Sequence, residues 1–229
     1  MIGESLYLRG DQKAELDYIL DTARPNHGIA MVSTTDAYYE LHAERYFERT
    51  AFLDFSATCR RFLAHVKPGG RIADVGCGSG RDLLYFTTLG YQVEGIDASA
   101  SLCRLAQAHS GVAVRCVRIE DWKPEHRFDG IWACASLLHL HMDAIEAFFV
   151  RLKDFLEQDG VAFFSFKPDI PCGVDNEGRY FTPFTKTDLE RVLQAHPELR
   201  LIEQWGSGDA MGRNEVTWLS FILGLSRRR

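Results

Sequence analysis

The stretch "ADVGCGSGRD", residues 73–82, decides the fold. Three glycines, Gly76, Gly78 and Gly80, stand at alternate positions directly after the short apolar run "RIADVG" and before a helical pattern, Arg81 to Leu89, that stops at Gly90. Glycine in such a loop lets the backbone turn through positive φ and lets another group approach the main chain closely. A strand, a glycine loop and a helix in succession open a βαβ unit. The following sequence repeats the alternation: "YQVEGID" as a second strand, Ser99 as an N-cap before the helix "ASLCRLAQAH", "VAVRCVRI" as a third strand and "FDGIWACA" as a fourth. A helix over Asp143–Glu157 places Ile145, Phe148, Phe149, Leu152 and Leu156 on one face and is expected to stop at Gly160, before a fifth strand "VAFFSFK".

Alternating strands and helices predict an α/β fold, a doubly wound and mostly parallel sheet covered on both faces. The C-terminal part differs. A helix over Thr185–His196 precedes two strands, "LRLIEQW" and "VTWLSFILGL", separated by the short segment 206–214. That connection is too short for a helical crossover, so the two strands are expected to be antiparallel neighbours. Upstream of the glycine loop, Asp36 is a candidate cap for a helix running to Arg49, Phe52–Val66 reads as a second helix, and "KPGG" turns the chain into the first strand. Residues 1–33 read as a peripheral extension and 34–229 as a single domain, with every motif lying after Met31.

Composition narrows the function classes. The 229 residues carry a net charge of −6, a 46% apolar fraction and a 25% charged fraction, ordinary for a soluble globular protein. An acidic balance argues against general nucleic-acid binding, which needs a basic surface. The six cysteines, Cys59, Cys77, Cys103, Cys116, Cys134 and Cys172, contain no C-x-x-C pair and suit free thiols in a reducing, cytoplasmic setting. The longest late apolar stretch, "WLSFILGL", is too short to span a membrane, and no signal peptide is evident.

In a doubly wound sheet the ligand lies beyond the carboxyl ends of the strands. The second strand ends at Asp97, about 20 positions after the glycine loop, where an acidic residue commonly accepts hydrogen bonds from ribose hydroxyls. Glycine loop and Asp97 together point to an adenosine-type ligand. A dinucleotide fingerprint, G-x-G-x-x-G, would need a glycine at position 81, which is Arg81. The pattern here is G-x-G-x-G with Asp74 two residues ahead.

"DVGCGSGRD", "GIDAS" and "FDGIWACASLLHL" resemble the class I S-adenosylmethionine-dependent methyltransferases, in particular the branch containing the tellurite-resistance-type enzymes, over roughly residues 36–225. The resemblance implies a Rossmann-like seven-stranded sheet with an antiparallel last strand and S-adenosylmethionine as cofactor. Gly76 and Gly78, with Cys77 between them, would meet the methionine part, Asp74 its amino end, and Asp97 the ribose. Ala98 would lie near the adenine, with Ile119 and Glu120 or Asp121 beside its amino group. Ala135 and Ser136 would line the site near the transferable methyl. The N-terminal helix commonly crosses the cofactor in this fold, which brings in Tyr38, Tyr39 and Tyr46.

Methyl transfer needs in-line alignment more than it needs an acid or base. A base enters only if the acceptor must lose a proton. His139 is one candidate; "HLH" at 139–141 lacks a third ligand for a metal, and no metal is expected. The segment leaving the fifth strand carries Arg179, Tyr180 and Phe181, and the final loop "GSGDAMGRN" carries Asp209 and Arg213. Arg179 and Tyr180 are further catalytic candidates, and Arg179, Tyr180 and Arg213 are expected to bound a pocket for a small polar or anionic acceptor. The planar fork of arginine suits carboxylates and oxyanions. A protein or RNA methyltransferase, a non-catalytic adenosine-ligand binder and an NAD-linked oxidoreductase are the alternatives.

Overall fold

The computed structural model describes residues 33–213 and 215–226. The proposed extension, apart from its last residue Ser33, and the arginine tail lie outside them. A seven-stranded sheet has the order β3-β2-β1-β4-β5-β9-β8. Its strands are β1 (Arg71–Val75), β2 (Gln92–Asp97), β3 (Val114–Cys116), β4 (Phe128–Cys134), β5 (Leu156–Phe166), β8 (Leu199–Gly208) and β9 (Thr217–Leu225). β1 to β5 pair in parallel, and β9 runs antiparallel to both of its neighbours, β5 and β8. The final hairpin therefore forms as its short connection requires, with the last strand of the chain inserted one place in from the edge. The strand order reverses between β1 and β4, so the crevice above that pair is the place for a ligand.

Aromatic packing on both faces fixes the sheet. Phe149, Phe164, Phe166, Phe184 and Phe221 are fully buried on one side, and Phe62, Phe86, Trp132 and Phe163 on the other. The continuously buried run Val161–Phe166, apolar except for Ser165, is what a strand covered on both faces requires. Helices α4 (Arg81–Thr88), α5 (Ala100–Ser110), α6 (Met142–Phe155) and α7 (Lys186–Ala195) connect the strands. Ser99 caps α5, accepting from the Leu102 N–H at 3.1 Å, as its sequence position suggests.

Upstream, the single helix expected to run to Arg49 is broken at His42 into α1 (Thr34–Leu41) and α2 (Ala43–Thr50). Its cap is Ser33, whose Oγ accepts from the Asp36 N–H at 3.0 Å, so Asp36 sits in the first turn rather than at the cap. The helix expected from Phe52 is shorter, α3 (Ser56–Leu63). α6 ends at Phe155, and Gly160 lies inside β5. There a Cβ would come within 2.8 Å of the Phe128 carbonyl oxygen, so Gly160 permits the crossing with β4 instead of ending a helix. A two-stranded hairpin, β6 (Gly173–Val174) and β7 (Tyr180–Phe181), leaves the carboxyl end of β5 and folds back over it.

Candidate active site

The glycine loop is held from within. The Gly76 and Cys77 N–H groups both donate to the Ile96 carbonyl (2.9 Å each), Gly78 N–H donates to Asp97 Oδ2 (2.9 Å), and Gly80 N–H donates to the Cys77 carbonyl (3.0 Å). Four of the loop's amides are thus engaged by the protein, which removes the donors a pyrophosphate cradle uses. The glycines answer to different neighbours. A Cβ on Gly80 would stand 2.8 Å from the Ala106 Cα, so this residue lets α4 and α5 approach. At Gly78, with φ +53°, a Cβ would meet the Tyr46 ring at 3.0 Å, and at Gly76 it would strike the Ser136 Cβ at 2.4 Å. The first two glycines face α2 and the loop after β4, where a ligand belongs; the third serves packing.

Asp97 closes the loop from the end of β2. Its Oδ1 accepts from the Ser99 N–H (3.0 Å) and its Oδ2 from Gly78. Burial pushes its pKa up against these hydrogen bonds. Each oxygen keeps acceptor capacity for a further donor, as a ribose diol supplies. Asp74, buried at the end of β1, is pushed well above the usual carboxylate range by burial and by the neighbouring Asp82. Asp82 is itself paired in two-pronged fashion with Arg81 (2.8 and 2.7 Å) and accepts from the Trp132 indole at 2.8 Å. Opposite Gly76, the Ser136 hydroxyl is buried with no hydrogen-bond partner among the described residues. Ala135 beside it has φ +54°, unique among the described non-glycine residues, and its N–H donates to Ser165 Oγ at 2.8 Å. Backbone strain of this kind concentrates at functional sites. An acidic strand end, a loop built for close approach and an orphaned hydroxyl fit the methionine and ribose of S-adenosylmethionine.

Next to the loop lies a cavity of about 170 Å³. α1 and α2 contribute Tyr38, Tyr39 and Tyr46; the loop after β4 contributes Ala135 and His139; β5 and its extension contribute Ser165, Lys167, Arg179 and Phe181; the final hairpin contributes Asp209, Arg213 and Trp218. Four sequence-distant segments are therefore brought together, with Tyr46, Ala135, His139, Arg179 and Arg213 among the expected residues. The His139 ring nitrogens are both engaged: Nδ1 donates to the Tyr180 carbonyl (2.8 Å), which leaves Nε2 to accept from the Tyr39 hydroxyl (2.9 Å). Burial lowers its pKa to about 4, so the ring is neutral at pH 7. Burial, and then Tyr46, raise that of Tyr39 well above its usual value.

Two expectations need correction. The Tyr180 side chain does not line the cavity. Alternation through 179–181 turns Arg179 and Phe181 inward, while the Tyr180 ring packs at a tilt against His141 (4.1 Å) and its hydroxyl meets Cys172 Sγ (3.6 Å). Only its carbonyl serves the site, through His139. Neither arginine is a free fork: Arg179 is held by Asp175 (2.7 Å) and Glu177 (2.6 Å), and Arg213 by Asp209 in two-pronged fashion (2.8 and 2.7 Å). Glu120 and Ile119 follow β3, Glu120 paired with Arg118 at 2.9 Å and Ile119 packed on the core. Ala98 accepts from Cys116 Sγ at 3.6 Å. Lys167, one residue past β5, is the site residue that sequence reasoning passed over. A lysine before a proline reads as surface loop; its position at a strand's carboxyl end was the available signal. Among the described residues no group of three or more His, Cys, Asp or Glu is placed to hold a metal, and no helix is long and apolar enough to cross a membrane.

Residues 72–160 match the family described as "Methyltransferase domain". The ubiquinone biosynthesis O-methyltransferase of Bradyrhizobium sp. (strain ORS 278) is 35% identical over 115 residues, covering 46% of this chain and 45% of that protein. The chain thus matches less than half the length of that curated relative. Among solved structures, Burkholderia thailandensis 1,6-didemethyltoxoflavin-N1-methyltransferase, with 1,6-didemethyltoxoflavin and S-adenosylhomocysteine bound, superposes with a TM-score of 0.66 at 20% identity, covering 98% of this chain and 94% of that one. The CcbJ methyltransferase from Streptomyces caelestis gives 0.68 at 14% identity (86% and 100%). A TehB-like S-adenosylmethionine-dependent methyltransferase from Corynebacterium glutamicum gives 0.62 at 20% (81% and 99%). The chain has the Rossmann-like fold of the S-adenosylmethionine-dependent methyltransferases, and its residues 72–160 match a methyltransferase domain.

Proposed function

We propose that this protein transfers a methyl group from S-adenosylmethionine to a small polar or anionic acceptor. The observation that carries the reading is Asp97, fixed between Gly78 and Ser99 at the carboxyl end of β2, where the Tyr46 ring that lies against Gly78 also lines the neighbouring cavity. Asp97 would hold the ribose, Gly76, Cys77 and Gly78 would face the methionine part with Asp74 behind them, and Ala98, Ile119 and Glu120 would border the adenine. When bound, S-adenosylmethionine supplies a methyl carbon already made electrophilic by its sulfonium. The chain's task is to align the acceptor and shut out water. The cavity walls do this: Tyr39 and Tyr46 pack edge-to-face at 5.2 Å, and Tyr39 packs on His139 at 5.4 Å. For an acceptor that must lose a proton, the Tyr39 Oη would take it while passing its own to His139 Nε2. The Tyr180 carbonyl keeps the imidazole in the tautomer able to receive it.

The cavity's volume of about 170 Å³ favours a small acceptor over a protein or RNA, and the engaged loop amides disfavour a dinucleotide. The similarity to a TehB-like enzyme does not single out the tellurite-resistance branch, since the Burkholderia enzyme, named for 1,6-didemethyltoxoflavin, superposes as well. S-adenosylhomocysteine should raise the melting temperature and NAD should not; labelled S-adenosylmethionine with a pooled metabolite extract should then yield a labelled small molecule. Stabilisation by NAD alone, or label appearing only in protein or RNA, would overturn the reading.

A further inference from the structure

We infer that the acceptor is a small aromatic acid and that Lys167 is the residue that reads its negative charge. This rests on the methyltransferase reading of the same site. Lys167 extends from the end of β5 into the cavity with its Nζ 5.0 Å from the ring centroids of both Phe181 and Trp218. Every carboxylate near it is spent elsewhere. Asp209 Oδ1 accepts from Arg213 (2.7 Å) and from the Trp218 indole (3.1 Å), and its Oδ2 accepts from Arg213 (2.8 Å) and the Met211 N–H (3.1 Å). Asp175 and Glu177 hold Arg179. Among the described residues no carboxylate pairs with the Lys167 ammonium.

A half-buried ammonium is a compact charge that loses hydration, and aromatic faces return only part of that loss. The wall therefore presents a cation in want of an anion, flanked by two arginines already neutralised. The shape of the ligand follows from the rings. Phe181 contacts both Lys167 (5.0 Å) and the His139 ring (4.6 Å). A flat ligand lying along Phe181 reaches from the ammonium to the Tyr39–His139 pair, its acidic group at one end and its methyl-accepting atom toward the other. Aromatic acids bearing a hydroxyl or amino group have that form.

The test uses the full chain saturated with S-adenosylhomocysteine and titrated calorimetrically at pH 7 with 4-hydroxybenzoate, 3,4-dihydroxybenzoate and 4-aminobenzoate, each against its carboxamide. At least one acid is expected to bind tenfold or more tightly than its amide. K167Q should erase that preference with S-adenosylhomocysteine affinity held within a few-fold, and K167R should keep most of it. Acids and amides binding alike, no acid binding, or a preference that survives in K167Q would overturn the inference. The acid-to-amide ratio of the unaltered protein decides the matter even if K167Q folds poorly. Binding of S-adenosylhomocysteine without acid preference sinks this inference alone; failure to bind S-adenosylhomocysteine sinks the methyltransferase reading and this inference with it.

Discussion

Asp97 holds the loop with the same two oxygens that would hold the ribose, so structure and binding are joined in one side chain. Replacing it with Ala orphans the Gly78 and Ser99 N–H groups and removes both ribose acceptors. Loss of two charge-assisted hydrogen bonds costs roughly 2–4 kcal/mol, or about 30- to 1000-fold in affinity. The orphaned amides should also lower the melting temperature by roughly 2–8 °C. Calorimetry with S-adenosylhomocysteine and a thermal melt read the two effects separately; unchanged affinity would remove the ribose assignment. Asp97, Gly76 and Gly78 were legible in the sequence because strand, loop and helix follow each other locally and the spacing is short. Tyr180 and Lys167 were not. Which of Arg179, Tyr180 and Phe181 faces inward depends on the β6–β7 register, Val174 against Tyr180, and that pairing leaves no mark in the order of residues. Arg179 and Arg213 looked available because Asp175 and Asp209, each four residues before its arginine, and Glu177 are loop residues whose turns bring them back.

At the scale of elements, α1 is strapped over the site from three sides. Glu40 accepts from Ser99 Oγ (2.6 Å) and from the Ser101 N–H (3.0 Å) and hydroxyl (2.6 Å) at the start of α5, Thr35 Oγ1 accepts from the Tyr180 N–H (2.8 Å), and Asp36 pairs with Arg118. The helix was legible from its pattern; its break at His42 and its anchors were not, since each anchor joins residues far apart in the chain. The carboxylate of Glu40 is raised by burial, but hydrogen bonds from Ser101 and Ser99 and the charge of Arg104 outweigh this and hold it below its usual value. A carboxyl group depressed in the folded state contributes stability that is present above its unfolded pKa and lost as pH falls through the folded one. Glu40 is exposed, so solvent screening discounts the effect: E40Q should lower stability by at most about 1 kcal/mol at pH 7 and show a smaller stability decline than the parent as pH falls below about 4.5. Chemical denaturation at pH 7 and across pH 3–6 checks this, and parallel curves for parent and variant would show that Glu40 does not anchor the helix.

Over the whole molecule the charge is segregated. The chain carries −6 overall, yet the cavity is lined by Arg45, Arg49 and Lys167, which pair with no carboxylate among the described residues, beside Arg81, Arg179 and Arg213, which are paired with Asp82, with Asp175 and Glu177, and with Asp209. A cationic cleft within an acidic protein focuses its field inward and draws anions to the site rather than to the surface. The seven strands of the main sheet were readable from their sequence pattern, their arrangement in one sheet only through the family resemblance, and the antiparallel hairpin from a short connection, but this convergence was not. α2, the end of β5 and the β8–β9 loop meet only after the sheet has formed, and only then do Lys167, Arg179 and Arg213 become neighbours. Burial first, and then Arg213 and Arg179, push the Lys167 ammonium down to about 8. A lysine depressed in this way is charged below that value and neutral above it. For an acceptor whose acid stays ionised throughout, affinity should hold from pH 6 to 7.5. Above about 8 it should fall by up to tenfold per pH unit, because a proton must then be bound along with the anion. The bound anion would itself raise the lysine's pKa, so proton uptake should accompany binding near pH 8. Titrating an aromatic carboxylate into the S-adenosylhomocysteine complex at pH 6–9.5, in buffers of differing ionisation enthalpy, measures both quantities. K167R, whose guanidinium keeps its charge, should flatten the profile; a parent profile already flat to pH 9.5 would remove Lys167 from acceptor binding.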